Sequence, residues 1–391
     1  MPRSAQVMSF RKKNVVLGQQ ARGTVREAGA KKQEVSPAVG VRPSPLDGRF
    51  TTSTGTGSLD QLLAGHAGLP LGSSILVEEA GTTDFAGVLL KYYGAEGLIQ
   101  GHEVHVLGLT EAWKGELPGL GKTSSSLRGQ PASVSNEKMK IAWRYETLNG
   151  NKTGTDATQG NANMTDSFCH QFDLSKRLQP SDIKGRLDTT LCCPAMTWSQ
   201  SPGGADVPSP LDTFIANLSA KLRSSAPDAI HRVLVPSLLS PAIYGPSVCR
   251  PQDALQFLHG LRALLRQYSG SLTAVISIST SLYPRSSGLT RWMELLCDSV
   301  LELLPLQRKV HIQPNIKSED VVQGMLKVHS LPIYHERGGG LEGGSSQENL
   351  SFRLSSSSGL IFKPYSLPPM LDGDDDTGSN EARKKEEKLD F

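Results

Sequence analysis

Ser73-Ser-Ile-Leu-Val-Glu-Glu-Ala-Gly-Thr-Thr-Asp-Phe-Ala86 is the stretch on which the fold turns. Its apolar start, Ser73–Glu78, reads as a buried strand, and Glu79-Ala-Gly-Thr-Thr-Asp84 reads as a short turn. A helical run follows, with Phe85, Leu89 and Tyr92 on one face and Val88, Tyr93 and Glu96 beside it. Strand, turn and helix in that order form the setting of a phosphate-binding loop. Such a loop needs glycines, so that successive backbone N–H groups curl round the phosphates. It also needs a Lys on the outer phosphates and a Ser or Thr on magnesium. Here the turn holds Glu79, Gly81, Thr82, Thr83 and Asp84, with Glu78 and Glu79 at the entrance and Asp84 near the place of the Lys. At an effective dielectric of about 20, two unit charges roughly 4 Å apart interact by about 4 kcal/mol. Exchanging Lys for Asp reverses the sign, so ATP is expected to bind poorly. The scaffold of an ATPase is legible, and its chemistry is not.

Outward from this stretch, strands and helices alternate. Thr54-Gly-Thr-Gly-Ser58 caps a short apolar helix, Leu59–Leu63, and Leu69-Pro-Leu-Gly72 turns into the first central strand. After the Phe85–Ile99 helix come a strand at Glu103–Leu107 and a helix at Leu211–Arg223, whose inner face is Leu211, Phe214, Ile215, Leu218 and Leu222. A strand at His231–Val235 precedes a helix at Pro251–Tyr268, with Pro at its start and Leu255, Leu258, Leu261 and Leu265 inward. Then follow a strand at Leu272–Ser279, a helix at Thr290–Cys297 and a strand at Ser299–Leu304. This order predicts an α/β fold, a mostly parallel sheet with helices on both faces. Val310–Gln313, Met325–Pro332 and Leu350–Leu354 read as an antiparallel C-terminal extension of that sheet.

Composition bounds the rest. The 391 residues carry 41 basic and 38 acidic side chains, and a net charge of +3 is too small to argue nucleic-acid binding alone. Residues 1–42 read as a basic, disordered arm, residues 43–370 as one domain, and residues 371–391 as a disordered charged tail. Gly/Asn/Thr-rich 150–163 and Gly-rich 338–347 read as mobile inserts. Five scattered cysteines without a Cys-x-x-Cys pair suggest neither a disulfide framework nor a zinc site. No apolar run is long enough to span a bilayer, and the start lacks a secretory signal core, so a cytoplasmic or nuclear location is expected without a membrane.

Gly121-Lys122-Thr123 imitates the end of a phosphate loop, but Glu116 stands where its leading glycine belongs, and no apolar strand precedes it. The magnesium-holding carboxylate expected after Arg232-Val-Leu-Val is replaced by Pro236. Glu111, just past the Glu103–Leu107 strand, sits where a related ATPase would place a water-activating glutamate; a solvated loop carboxylate is the plainer reading. His102 and His105, three apart beside a strand, point to opposite faces and do not pair on a metal. Lys138-Met-Lys-Ile-Ala-Trp-Arg-Tyr145 interleaves basic and aromatic residues in the manner of a single-strand RNA contact, although edge-strand packing explains it better. Arg285, Arg291 and Arg250 follow central strands at their carboxyl ends, where open α/β sheets bind ligands, and are candidate phosphate contacts.

Thr51–Asp60 and Gly65–Gly72 resemble the entry to RecA-like ATPase domains. Glu79–Phe85 with Leu90–Gly97, Glu116–Gly121, Met139–Glu146 and Phe168–Arg177 resemble, in the expected order, the Elongator complex subunit four (PAXNEB) family. The resemblance spans most of residues 43–370. It implies a RecA-like three-layer sandwich with degenerate Walker motifs. It further implies a hetero-hexameric ring with two sister subunits of the same fold, within the wider Elongator assembly that modifies the wobble uridine of tRNA on another subunit. The ring would bind and release tRNA, the 281–288 loop would face its pore, and no cofactor is implied for this chain. Two alternatives stay open: an unorthodox active ATPase using Thr82 or Thr83 on magnesium and Glu111 as base, and a recombinase-mediator-like protein that binds DNA.

Overall fold

The computed structural model describes residues 38–121, 167–192, 209–245, 248–306, 322–332, 350–356 and 359–365. The Lys138–Tyr145 segment, both Gly-rich inserts, the Val310–Gln313 strand and Lys122-Thr123 lie outside the described residues.

In chain order the elements are β1 (Val41–Pro43), β2 (Phe50–Thr52), α1 (Gly57–Leu62), β3 (Leu69–Pro70), β4 (Ser74–Glu79), α2 (Phe85–Gln100), β5 (Glu103–Leu107), β6 (Pro118–Leu120), β7 (Phe172–Arg177) and β8 (Arg186–Thr190). There follow α3 (Pro210–Ser224), β9 (His231–Val235), α4 (Pro241–Tyr244), α5 (Pro251–Gln267), β10 (Leu272–Ser279), α6 (Gly288–Leu296), β11 (Ser299–Pro305), β12 (Gly324–Ser330), β13 (Leu350–Ser355) and β14 (Gly359–Pro364). A nine-stranded sheet runs β14-β13-β12-β11-β4-β10-β9-β5-β8. Strands β11 through β8 in that order are parallel, and β12, β13 and β14 extend the β11 edge antiparallel. The strand that leads into the degenerate turn therefore lies inside the sheet, between β10 and β11. This is a RecA-like arrangement, mostly parallel with an antiparallel C-terminal extension.

Strand alternation divides the core. Ile75, Val77, Val104, Val106, Leu234, Val275 and Leu301 pack toward α2. Leu76, Val233, Val235, Ala274, Ile276 and Val300 pack toward α3, α5 and α6. A one-residue register slip would exchange these two sets, so the buried faces fix the pairing. Helix α2 lies among strands and the antiparallel extension, with Phe85 edge-on to Phe352 at 4.9 Å and Tyr92 stacked on Phe172 at 5.7 Å. Local chemistry starts the outer helices. Pro210 and Pro251 open α3 and α5, whose first N–H groups would be unpaired anyway, and the Ser287 hydroxyl accepts from Thr290 N.

The structure moves some boundaries. Glu79 is the last residue of β4 rather than the first of a turn, because the ladders hold it on both sides, against Ser279 and Leu303. Strand β1 takes in Val41 and Arg42, which the sequence reading assigns to the arm. Strand β12 ends at Ser330, short of the expected Pro332.

A buried cation joins the layers. Arg232 on β9 is fully buried. Its Nε donates to His102 Nδ1 (2.9 Å), Nη1 to the carbonyls of Ser53 (2.8 Å) and Tyr93 (3.1 Å), and Nη2 to Thr52 Oγ1 (2.7 Å). A Cβ on Gly97 of α2 would fall 2.6 Å from Arg232 Cδ, so that position must stay bare. His102 Nε2 donates onward to the Val39 carbonyl (2.8 Å). Burial and then the Arg232 charge push this imidazole down to about 3, which keeps it neutral.

Candidate functional site

The turn after β4 is short, and Gly81–Asp84 are exposed. Gly81 has φ +93°, and its N–H donates to Ser281 Oγ (2.8 Å) from the β10–α6 loop. The first turn of α2 presents the backbone donors and positive dipole end that would meet a phosphate in an active relative of this fold. Those donors already have a partner. Glu79 Oε1 accepts from Phe85 N (2.9 Å) and from Thr83 Oγ1 (2.6 Å), and Oε2 accepts from Ala86 N (2.8 Å). A carboxylate of the chain itself therefore occupies the anion position. Asp84 adds a second: a Cβ on Gly87 would run into its carboxylate oxygens, so that group lies over the same helical turn. Thr82 stands exposed at the tip.

The place of the magnesium carboxylate is equally changed. Strand β9 ends at Val235, and the Pro236 carbonyl accepts from the Tyr244 hydroxyl (2.7 Å). Ser237 N donates to Ser277 Oγ (2.8 Å), and Ser237 and Leu239 both take positive φ. Glu111 begins a 3-10 turn, Glu111–Glu116, and is exposed to solvent.

Beside the turn lies a charge cluster that the sequence reading did not assemble. Arg285 Nε donates to Glu294 Oε1 (2.9 Å) and lies 3.0 Å from Glu78 Oε2, while Nη1 is 3.8 Å from Glu302 Oε2. His329 Nε2 is 2.8 Å from the same Glu302 oxygen. Arg291 reaches the other oxygen of Glu294 at 3.2 Å. Glu294 thus brings Arg285 and Arg291 together, Arg285 only 26% exposed and Arg291 64%. Glu78 is fully buried; burial first, then neighbouring Glu294, pushes its carboxyl up to about 7 against the pull of Arg285. Arg250 is exposed at the start of α5. Its loop meets that of Arg285 at the Leu239 carbonyl, which accepts from both Cys249 Sγ and the Tyr283 hydroxyl. All three arginines therefore border one group of loops, although Arg285 is already surrounded by carboxylates.

Sequence reasoning placed Glu79 at the entrance but not its role as a helix cap. The signal available was an acidic residue just ahead of a helix start. A second missed link is Glu96, fully buried in α2, which accepts from His170 N (3.0 Å) and Gln100 Nε2 (2.7 Å) and lies 2.9 Å from His170 Nδ1. Among the described residues, no helix is long and apolar enough to cross a membrane.

Fold and site together define a RecA-like protein in which the chain's own Glu79 carboxylate caps the helix after the central strand. The chain belongs to the PAXNEB protein family, whose pattern matches residues 34–391. It is similar to Elongator complex protein 4 of Schizosaccharomyces pombe, 31% identical over 372 residues, covering 90% of this chain and 95% of that protein. The corresponding figures are 30% over 344 residues, 78% and 71%, for Elongator complex protein 4 of Saccharomyces cerevisiae, and 28% over 389 residues, 92% and 90%, for that of Xenopus laevis. Among solved structures, a KaiC-like protein from Pyrococcus horikoshii aligns with 80% of this chain and 99% of its own at 12% identity and TM-score 0.40. The fold assignment rests on the strand order above rather than on that distant likeness.

Proposed function

We propose that this chain is a non-catalytic RecA-like subunit of an Elongator complex, seated in a hetero-hexameric ring with two sister subunits. There it supports binding and release of tRNA while another subunit modifies the wobble uridine, in the cytoplasm and nucleus. The names of its relatives support the assembly. The observation that carries the non-catalytic part is the Glu79 carboxylate on the first N–H groups of α2. A triphosphate would have to displace a covalently tethered anion and then find neither a Lys nor a carboxylate for its metal. The competing ATPase reading needs Thr82 or Thr83 on magnesium, and the Thr83 hydroxyl already donates to Glu79. Arg250, Arg285 and Arg291 are carried forward as proposed phosphate contacts, Arg285 being the most heavily neutralised of them.

Titration of the isolated chain with ATP and magnesium tests the first part, with no saturable binding expected. Tight, magnesium-dependent binding abolished by Thr83→Ala would overturn it. Affinity purification with identification of co-purifying chains tests the second. Two further RecA-like chains are expected, and their absence refutes the ring. Competition between tRNA and single-stranded DNA for the assembled ring separates this reading from a DNA-binding mediator.

A further inference from the structure

On the sheet face opposite α2, three potential metal ligands converge from two adjacent strands. Glu103 and His105 are alternate residues of β5 and so share a face, and His231 opens β9 directly across from Glu103. His105 Nε2 lies 3.0 Å from His231 Nδ1, with the rings stacked at 5.3 Å. Glu103 Oε2 is 3.6 Å from His231 Nδ1, and one ligand atom from each residue falls within 4.8 Å of the others. We propose that Glu103, His105 and His231 form a binding site for a zinc-type divalent metal.

Two imidazole nitrogens on one tetrahedral zinc ion, each about 2.0–2.1 Å from it, lie roughly 3.3 Å apart. The pair here, at 3.0 Å, needs only a small opening to reach that separation. Both rings are buried, so each is held in place by the packing between β5, β9 and their neighbours. The Glu103 side chain is 31% exposed, so it supplies both an entry path and the freedom to close on the ion.

The outer contacts have the pattern that orients metal-bound histidines. Asp188 of β8 stands opposite His105 in register, with Oδ2 3.4 Å from His105 Nδ1. A proton held on Nδ1 toward this carboxylate leaves the Nε2 lone pair pointing at His231 and the metal position. Lys221 of α3 ion-pairs with Asp188 and holds it in place. With the His105 proton on Nδ1, the metal-free contact requires His231 Nδ1–H to donate to His105 Nε2. On binding, that proton moves to the other ring nitrogen, and the ion takes its place between the two lone pairs. Three protein ligands leave the fourth position to water.

The test uses the whole 391-residue chain, stripped with a chelator and re-equilibrated with zinc or with cobalt(II) as a visible probe. One ion per chain retained through gel filtration is expected, with the visible absorption of a four-coordinate cobalt site. Asp188→Asn should weaken zinc binding by about 10–100-fold and Glu103→Gln by at least as much. Both side chains are partly exposed, so these variants should melt close to wild type. His231→Asn should abolish the cobalt spectrum. Failure of the wild-type chain to retain metal, or retention unchanged in Glu103→Gln and Asp188→Asn, would overturn the assignment.

Discussion

Glu79 satisfies the start of α2, and on the proposed function the same two oxygens would exclude an anion from it. Glu79→Ala leaves Phe85 N and Ala86 N without that acceptor, and loss of a cap of this kind costs about 0.5–2 kcal/mol. A lower urea midpoint should follow, and sulfate should raise the melting temperature of the variant more than that of wild type. ATP hydrolysis should not appear, because Pro236 and Asp84 still stand where a carboxylate and a lysine are needed. Glu78, the neighbour in sequence, sets a pH dependence. Its folded-state value of about 7 lies above the ordinary 4.5, so between these limits the folded chain holds a proton that the unfolded chain has released. Stability therefore falls as pH rises through that window, by up to roughly 3 kcal/mol at about 1.4 kcal/mol per unit. Glu78→Gln should flatten urea midpoints measured at pH 5, 6, 7 and 8, and should be the more stable chain at pH 8.

At the scale of elements, β5, β9 and β10 were legible to the residue, because interior parallel strands are buried on both faces and read as bounded apolar runs. Strands β7 and β8 were not. Phe172-Asp-Leu-Ser-Lys-Arg177 and Arg186-Leu-Asp-Thr-Thr190 are polar, and their partners, β6 and β5, are visible only in space. The site divides in the same way. The missing Lys and acid are absences within one turn and one strand end, and a sequence displays them directly. The Glu79 cap, the Arg285 carboxylates and the Glu103–His105–His231 cluster depend on how a turn closes or on strands remote in sequence. Arg232 is the strongest example, an ordinary charge inside a strand that becomes the tie between β9, α2 and the entry segment. Arg232→Ala strands the buried acceptors it satisfies and should cost about 1–3 kcal/mol for such unpaired groups. Arg232→Lys should rescue little, since an ammonium cannot reproduce the planar fork. Chemical denaturation of both variants decides the point: a shift in the alanine variant below 1 kcal/mol, or full rescue by lysine, would remove Arg232 from that role.

For the whole molecule, the proposed function asks how a chain with a net charge of only +3 would take part in binding a polyanion. Affinity for nucleic acid is dominated by phosphates neutralised, and it falls with salt in proportion to their number. Arg285 is enclosed by three carboxylates and Arg291 shares one of them, so this surface alone neutralises few phosphates. Several such surfaces round a ring would act together, each raising the effective concentration of RNA at the next. The isolated chain should therefore bind tRNA weakly, with a shallow dependence of log affinity on log salt, and the assembled ring should bind tightly with a steep one. Arg250→Ala and Arg291→Ala, introduced into the ring, should each reduce the slope by about the 0.7 to 0.9 expected for one phosphate. Fluorescence anisotropy with labelled tRNA across a salt series measures both. Submicromolar affinity of the isolated chain at physiological salt would show that this subunit carries the RNA surface on its own, and slopes unchanged in both ring variants would remove these arginines from the interface.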